Sequence, residues 1–276
     1  MKKNKFLFCI GLLLTVATIV NAQSVTWISS TEGNVWQKSK VKLQSKSEQN
    51  PVLQVDGTEN GVAFKNWGTT FNELCWDALG LLTRTEQDEI LYNIFSPQGD
   101  LRITRGRISM GANDYARSWY SCDEVEGDFE LRYFNINRDK QTIIPFIRAA
   151  QKYNPNLTFW ISPWCPPSWM KINGDYPVLS SPFNSLSEKQ NYLLYGATGG
   201  QVDENEMKLT GARDGVFPRQ LATTDFMIQD PRYLQTYADY FCRFIDAYKE
   251  QGIPIDMVMY QNEAYSYTPY PGCAWT

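Results

Sequence analysis

Ile253-Pro-Ile-Asp-Met-Val-Met-Tyr-Gln-Asn-Glu263, continued by Ala264 and Tyr265, decides how this chain folds. The apolar run has strand length, begins at a Gly252-Ile253-Pro254 break, and ends with an amide and a carboxylate side by side. Such a run reads as a parallel strand buried on both faces, with its chemistry delivered at the C-terminal end.

Immediately upstream, Asp230 to Gln251 is the most regular helix pattern in the chain, with Asp230 as cap, Pro231 in the first turn and Gly252 past the end. Its aromatic stripe of Tyr233, Tyr237, Tyr240, Phe241 and Phe244 reads as core. The same alternation recurs further upstream. A strand is expected over Leu157–Ile161, and a helix over Gln141–Tyr153 with Ile143, Ile144, Ile147 and Ala150 on one stripe. Before these come a strand over Leu101–Met110, a helix over Thr85–Phe95 capped by Thr85 against Asp88, and a short strand over Val62–Trp67. Between Ser162 and Gln229 the connection is too long for an ordinary loop and is rich in Pro, Gly and aromatic residues.

Strands alternating with helices predict repeated βα units on a parallel sheet, here four units of a (β/α)8 TIM barrel. Each strand ends in polar or aromatic residues: Asn66 and Trp67, Arg107 to Asp114, Ser162 to Trp164, Asn262 and Glu263. In a barrel those ends share one face, where active sites are built. A doubly wound sheet is the rival, but Gly68-Thr-Thr-Phe-Asn after the first strand is not a Gly-rich phosphate loop. The chain is therefore expected to be the front half of a longer protein. An open half barrel leaves strand edges unpaired, so this half is expected to be inactive alone.

The domains follow from the same reading. Met1–Ala22 has a basic start (Lys2, Lys3, Lys5), an apolar run from Phe6 to Val20, and a small-residue site at Val20-Asn21-Ala22. It is expected to be a secretory signal, because the run is shorter than the roughly 18 residues a spanning helix needs. The mature protein is then secreted or periplasmic, with no membrane anchor. Residues 23–61 carry short alternating runs (Val25-Thr-Trp27, Val41-Lys-Leu43, Val52-Leu-Gln-Val55) that suggest small antiparallel strands, and residues 62–276 carry the barrel half.

Composition narrows the chemistry. The 276 residues are 43% hydrophobic and 14% aromatic with a formal charge of -4, an ordinary globular balance without a basic stripe, so neither nucleic acid nor an anionic membrane is the expected partner. The chain has no histidine, so it holds no Ser-His-Asp or Cys-His nucleophile system and no His-ligated metal. That argues against a protease or esterase. Cys75, Cys122, Cys165, Cys242 and Cys273 lack metal-ligand spacing, and no cofactor or metal is expected. Acid-base chemistry falls to carboxylates, Tyr, Lys or Cys.

Gln261-Asn262-Glu263 is the candidate centre. Cleaving a glycosidic bond takes one carboxyl to protonate the leaving oxygen and a second to attack or to activate water, and Glu263 at a strand end suits the first role. Asn262 beside it can donate to a sugar hydroxyl. In Ser162-Pro-Trp-Cys-Pro-Pro-Ser-Trp169, two Trp on a Pro-stiffened loop offer a rigid wall for a sugar face, although Trp169 reads equally as core. Arg107 and Asp114 bracket the second strand's end, as a carboxylate-ordering cation and an acceptor for hydroxyls or as a structural ion pair. Asn72 and Glu73 follow the first strand, with Glu73 either in the site or facing solvent.

Taken together, Asn66-Trp-Gly-Thr-Thr-Phe-Asn-Glu73, Arg107-Ile-Ser-Met-Gly-Ala-Asn-Asp114, Ser162-Pro-Trp-Cys-Pro-Pro-Ser-Trp-Met-Lys171 and Gln261-Asn-Glu263 resemble glycoside hydrolase family 30, the glucosylceramidase-like family, over Val62 to Tyr265. The resemblance implies a retaining β-glycosidase on a (β/α)8 barrel, with a side β-sandwich to which the N-terminal strands would contribute. It implies that Glu263 is the acid/base, that Asn262 contacts the sugar 2-hydroxyl, that Arg107 orders the nucleophile, and that Asp114 and Trp164 hold the glycone. The nucleophile would be a Glu on a seventh strand, which this chain does not reach, about 5 to 5.5 Å from the acid/base. Glu73 stands where many members have an Asp after a Gly-Phe-Gly-Gly type turn, so the first subsite is expected to prefer a different sugar, such as a fucosyl, galactosyl or xylosyl unit. The second reading, from another class, is a non-catalytic carbohydrate-binding protein on a degenerate barrel.

Overall fold

The computed structural model describes residues 24–42, 61, 63–186, 226–264, 266 and 268–275. The expected signal segment, the expected strand at Val52–Val55 and most of the long connection after residue 186 lie outside the described residues. Two units divide the chain, Met1–Ala63 and Phe64–Thr276. In the first, β1 (Ser24–Thr31) and β2 (Asn34–Lys42) form an antiparallel hairpin in which Val25 faces Val41 and Trp27 faces Ser39. Gly33, at φ 78°, closes the turn in a conformation other residues resist.

In the second unit, β3 (Gly68–Phe71), β4 (Arg105–Ser109), β5 (Thr158–Ser162) and β6 (Ile255–Val258) lie side by side in chain order, all parallel. Sequential order with right-handed crossovers puts every helix on the same face, which a doubly wound sheet does not do. The helices are α1 (Glu73–Gly80), α2 (Arg84–Phe95), α3 (Ile143–Gln151) and α4 (Pro231–Glu250). Three βα units and a fourth strand in this order are the first four strands of a TIM barrel.

Alternation along the strands sorts the two faces. Phe71, Ile108, Phe159 and Ile161, all fully buried, pack toward the helices, where the Phe71 ring meets those of Phe95 and Phe146 at 5.7 and 4.8 Å. Gly106 lies on this face, and a Cβ there would come within 2.5 Å of the Phe71 ring and 2.8 Å of the Phe159 ring. The residues between point the other way. Thr70, Arg107 and Trp160 are register partners across three strands, so they share one layer on the barrel-interior face.

Helix α4 fits its expectation closely. Asp230 caps it by accepting from Arg232 N at 2.8 Å, and Tyr233, Thr236, Tyr237, Tyr240, Phe244 and Tyr248 form the buried stripe. At its end Gly252, at φ 70°, donates to Lys249 O at 2.8 Å while Ile253 donates to Tyr248 O at 3.0 Å, a Schellman close that turns the chain into β6.

Four expectations are corrected. Strand β6 is not buried on both faces, since Met257 and Val258 are 42% and 47% exposed and, among the described residues, only β5 pairs with it. The first strand is Gly68–Phe71 and not Val62–Trp67, because Phe64 and Trp67 are 70% and 64% exposed while Phe71 is the buried anchor. Thr69 and Thr70 are β-branched, and they extend rather than turn. Helix α2 is capped by Thr83 and not Thr85. Glu86 Oε2 accepts from Thr83 N at 2.8 Å and Glu86 N donates to Thr83 Oγ1 at 3.4 Å, which places a Glu at the third helical position as a capping box requires. Asp88 instead accepts from Tyr153 Oη at 2.8 Å. Helix α1 was absent from the sequence reading, and Asn72, whose Oδ1 accepts from Cys75 N at 2.9 Å, is its cap. Strand β4 and helix α3 are also shorter than expected. A 3-10 turn at Asp139–Gln141 precedes α3.

Candidate active site

At the C-terminal ends of these strands opens a cavity of about 250 Å³, lined by Thr70 and Asn72, by Arg107, Asn113, Asp114 and Tyr115, by Trp164, and by Asn262, Glu263 and Tyr270. All four strand ends contribute. Six residues named from the sequence, Asn72, Arg107, Asp114, Trp164, Asn262 and Glu263, therefore meet in one place.

Arg107 is the hub. Its Nη2 donates to Asn262 Oδ1 at 2.6 Å and to Ser162 Oγ at 3.1 Å, and its guanidinium carbon lies 4.1 Å from the Trp164 ring centroid and 5.0 Å from that of Trp160. A guanidinium only donates, so the Asn262 oxygen faces Arg107 and its NH₂ is turned elsewhere as a donor. Burial lowers the Arg107 pKa from its ordinary value, and the charges of Asp114 and Glu263 oppose that shift. The Arg107 Nε is buried without a hydrogen-bond partner among the described residues.

Glu263 sits just past β6 with its backbone in the left-handed region, φ 51°, unusual for a residue with a Cβ and worth on the order of 1 kcal/mol of strain. The strain is held by its neighbours. Asn262 N donates to Pro163 O at 2.8 Å, and the buried Gln261 donates from Nε2 to Trp164 O at 2.7 Å while its Oε1 accepts from Trp275 Nε1 at 3.1 Å. The side chain of Glu263 is exposed at the cavity mouth, where Tyr270 Oη donates to its Oε2 at 3.3 Å. Asp114 is also at the rim. Desolvation of its carboxyl raises its pKa first, Glu263 raises it further, and Arg107 pulls it down.

Glu73 is placed differently. It does not line the cavity, and it is fully buried behind it. Arg138 Nε and Nη2 donate to its two oxygens at 2.9 and 2.6 Å, Arg117 N donates at 2.8 Å and Thr142 Oγ1 at 3.3 Å. Burial raises the Glu73 pKa, but Arg138, Arg117 and Thr142 outweigh it and the net shift is downward. Arg138 also donates to Ser118 O and Oγ, each at 2.9 Å, so this pair fastens the loop that follows Asp114 and Tyr115. Asn72, one residue earlier, reaches the cavity instead. Trp169, the second Trp of its loop, is core: it is 2% exposed, donates from Nε1 to Asp123 O at 3.0 Å, and packs edge-on to Phe129.

Sequence reading missed Thr70, Asn113, Tyr115 and Tyr270. Tyr115 and Asn113 adjoin Asp114, and Thr70 became visible only once the first strand was shifted. Tyr270 carried no sequence signal, since it lies in a Pro/Tyr-rich loop with no periodicity. Among the described residues no three His, Cys, Asp or Glu side chains gather as metal ligands.

The chain that carries these groups has relatives. Residues 64–181 match the family model described as the glycosyl hydrolase family 30 TIM-barrel domain. A Caenorhabditis elegans protein provisionally named glucosylceramidase 4 is 27% identical over 90% of this chain and 40% of its own length. An endo-1,6-β-D-glucanase of Aspergillus fumigatus is 26% identical over 82% of this chain and 40% of its own. The crystal structure of SrfJ from Salmonella typhimurium superposes with a TM-score of 0.60 at 17% identity, over 90% of this chain and 46% of that one, and so shares its fold. The chain thus spans about 40% of the length of the curated relatives it matches. Over residues 64–181, somewhat under half of the chain, it is similar to the glycosyl hydrolase family 30 TIM-barrel domain.

Proposed function

We propose that this chain is the acid/base-bearing part of an exported retaining β-glycosidase that cleaves a β-glucoside or a related β-linked sugar by double displacement. The observation that carries the reading is the position of Glu263, whose carboxylate stands at the mouth of a cavity shared with Asp114, Arg107, Asn262 and Trp164. In this reading Glu263 protonates the leaving oxygen and later deprotonates the attacking water. Asn262, its oxygen held by Arg107, donates to the sugar 2-hydroxyl. Asp114 accepts from glycone hydroxyls and Trp164 walls the ring. Arg107, with its Nε unmatched, orders the nucleophilic carboxylate expected on a seventh strand. Similarity to proteins named glucosylceramidase and endo-1,6-β-D-glucanase supports a β-glucosyl preference, and Glu73, which is buried and does not line the cavity, gives no ground for the different first-subsite sugar expected from the sequence.

Glu263→Gln in the protein carrying the complete barrel tests the assignment. Hydrolysis of a glycoside with a poor leaving group is expected to fall about 10²- to 10⁴-fold, with a much smaller loss for a dinitrophenyl glycoside, which needs no proton. Equal losses on both substrates would refute the acid/base role. Tight sugar binding without turnover in the wild-type protein would point to the non-catalytic carbohydrate-binding reading. Export rests on the basic, apolar and small-residue pattern of Met1–Ala22. N-terminal sequencing of protein recovered outside the cytoplasm is expected to begin at Gln23, and an intact Met1 there would contradict cleavage.

A further inference from the structure

We propose that Tyr270 is a positioning residue for the Glu263 carboxyl: its hydroxyl fixes Oε2 and leaves Oε1 as the oxygen that carries the transferable proton. The inference rests on the acid/base reading of Glu263 and adds a group that the sequence did not indicate. Both residues line the same cavity, and Tyr270 Oη lies 3.3 Å from Glu263 Oε2.

The turn that carries Tyr270 is held independently of Glu263. Val178 N and Leu179 N donate to Thr268 O at 3.0 and 2.8 Å, Gly272 N donates to Tyr176 O at 3.0 Å, and Asn184 Nδ2 donates to Pro269 O at 3.1 Å. Within the turn Thr268 Oγ1 donates to Tyr270 O at 3.0 Å, and Gly272 is packed so closely that a Cβ would stand 2.6 Å from that same Oγ1. The stretch 176–184 therefore straps the Tyr270 turn in place. Glu263, by contrast, has an exposed side chain on a strained backbone. A fixed donor aimed at a carboxylate that has rotational freedom selects one of its rotamers.

Three groups act on the Glu263 carboxyl: Arg107 from β4, Asp114 from the loop after β4, and Tyr270 from the turn after β6. Desolvation first, and then the charge of Glu263, raise the Tyr270 pKa, so the phenol stays a donor through the working range. Removing that donor leaves the carboxyl free to rotate, so Oε1 is no longer presented from one position. In the transfer itself the Oε1–H bond breaks as the leaving oxygen gains the proton, the anomeric C–O bond opens, and the nucleophilic carboxylate expected on the seventh strand bonds the anomeric carbon. Water then attacks that carbon, expelling the carboxylate, and gives its proton to Oε1.

The test is Tyr270→Phe in the protein with the complete barrel, read in two ways. The orientation of the Glu263 carboxyl, read from a crystal structure of the free protein, is expected to go from one rotamer in the wild type to several in the variant. In turnover, kcat on a poor leaving group is expected to fall several-fold more than on a dinitrophenyl glycoside. A carboxyl that keeps its single rotamer would overturn the proposal, as would a change confined to KM. Tyr270→Leu removes ring and hydroxyl together and must give the same loss of order. Disorder seen only with Leu would assign the effect to the ring and would also overturn it. Because the rotamer is read without turnover, it stands apart from the Glu263→Gln comparison, which tests the acid/base role alone.

Discussion

What the carboxylate of Glu73 does is decided by Arg138, and Arg138 is 65 residues away in sequence. The sequence offered a carboxylate next to a strand end and no means of seeing that partner. The structure closes four donors on it, two from Arg138, one from Arg117 N and one from Thr142 Oγ1. A buried acid matched this way is costly to unmatch, so Glu73→Gln is expected to lower the unfolding free energy by about 3 kcal/mol in urea titrations at neutral pH. Its folded pKa is depressed, so the stability it contributes is present above the ordinary Glu range and is lost as pH falls through the folded value. Urea titrations of the wild type are expected to show an acid-side loss below about pH 4.5, and the Gln variant is expected to lack it. Because Arg138 also fastens the loop after Asp114, sugar binding is expected to weaken with it. Arg107, Asp114, Trp164, Asn262 and Glu263 were legible for the opposite reason: each sits at a strand end, and in a parallel sheet strand ends converge wherever the register runs.

At the scale of elements, patterns with local causes were read well and patterns with distant causes were not. Helix α4 announces both ends with Asp230-Pro231 and Gly252, so cap, stripe and close all appear where the residues dictate. The α2 cap was misplaced by two residues because two Thr compete, and only the Thr83–Glu86 pair has the side-chain reach for a capping box. Thr83→Ala is expected to cost about 1 kcal/mol in thermal or urea unfolding, and Thr85→Ala much less. Strand β3 was misplaced because its two Thr carry no apolar signal, while Trp67 does and stays exposed. Gly106 shows what the sheet demands of a single position. With Phe71 and Phe159 pressed against it, Gly106→Ala forces rings or backbone apart and is expected to destabilise by about 2 kcal/mol or more in the same assay. A shorter side chain at Phe71 would relieve part of that loss.

At the scale of the molecule, the order β3-β4-β5-β6 and the single helical face were implied by counting βα units, and the polar interior layer of Thr70, Arg107 and Trp160 follows from register. How α4 is tied to the loops was not implied. Asp139 is fully buried and accepts from Tyr120 Oη and from Tyr248 Oη of α4, each at 2.7 Å. Burial raises its carboxyl to about 6 against the pull of those two hydroxyls. Its folded pKa lies above the unfolded one, so stability is highest with the proton on and declines as pH rises through the range up to about 6, then levels. Asp139→Asn should flatten that decline in melting temperature measured across the same range. The central claim concerns the mouth of the sheet, and azide rescue tests it most directly. Glu263→Ala in the protein with the complete barrel, given a dinitrophenyl β-glycoside and sodium azide, is expected to recover turnover and to yield the β-glycosyl azide, identified by ¹H NMR of the anomeric proton. No recovery, or an α-glycosyl azide, would contradict Glu263 as the acid/base of a retaining glycosidase.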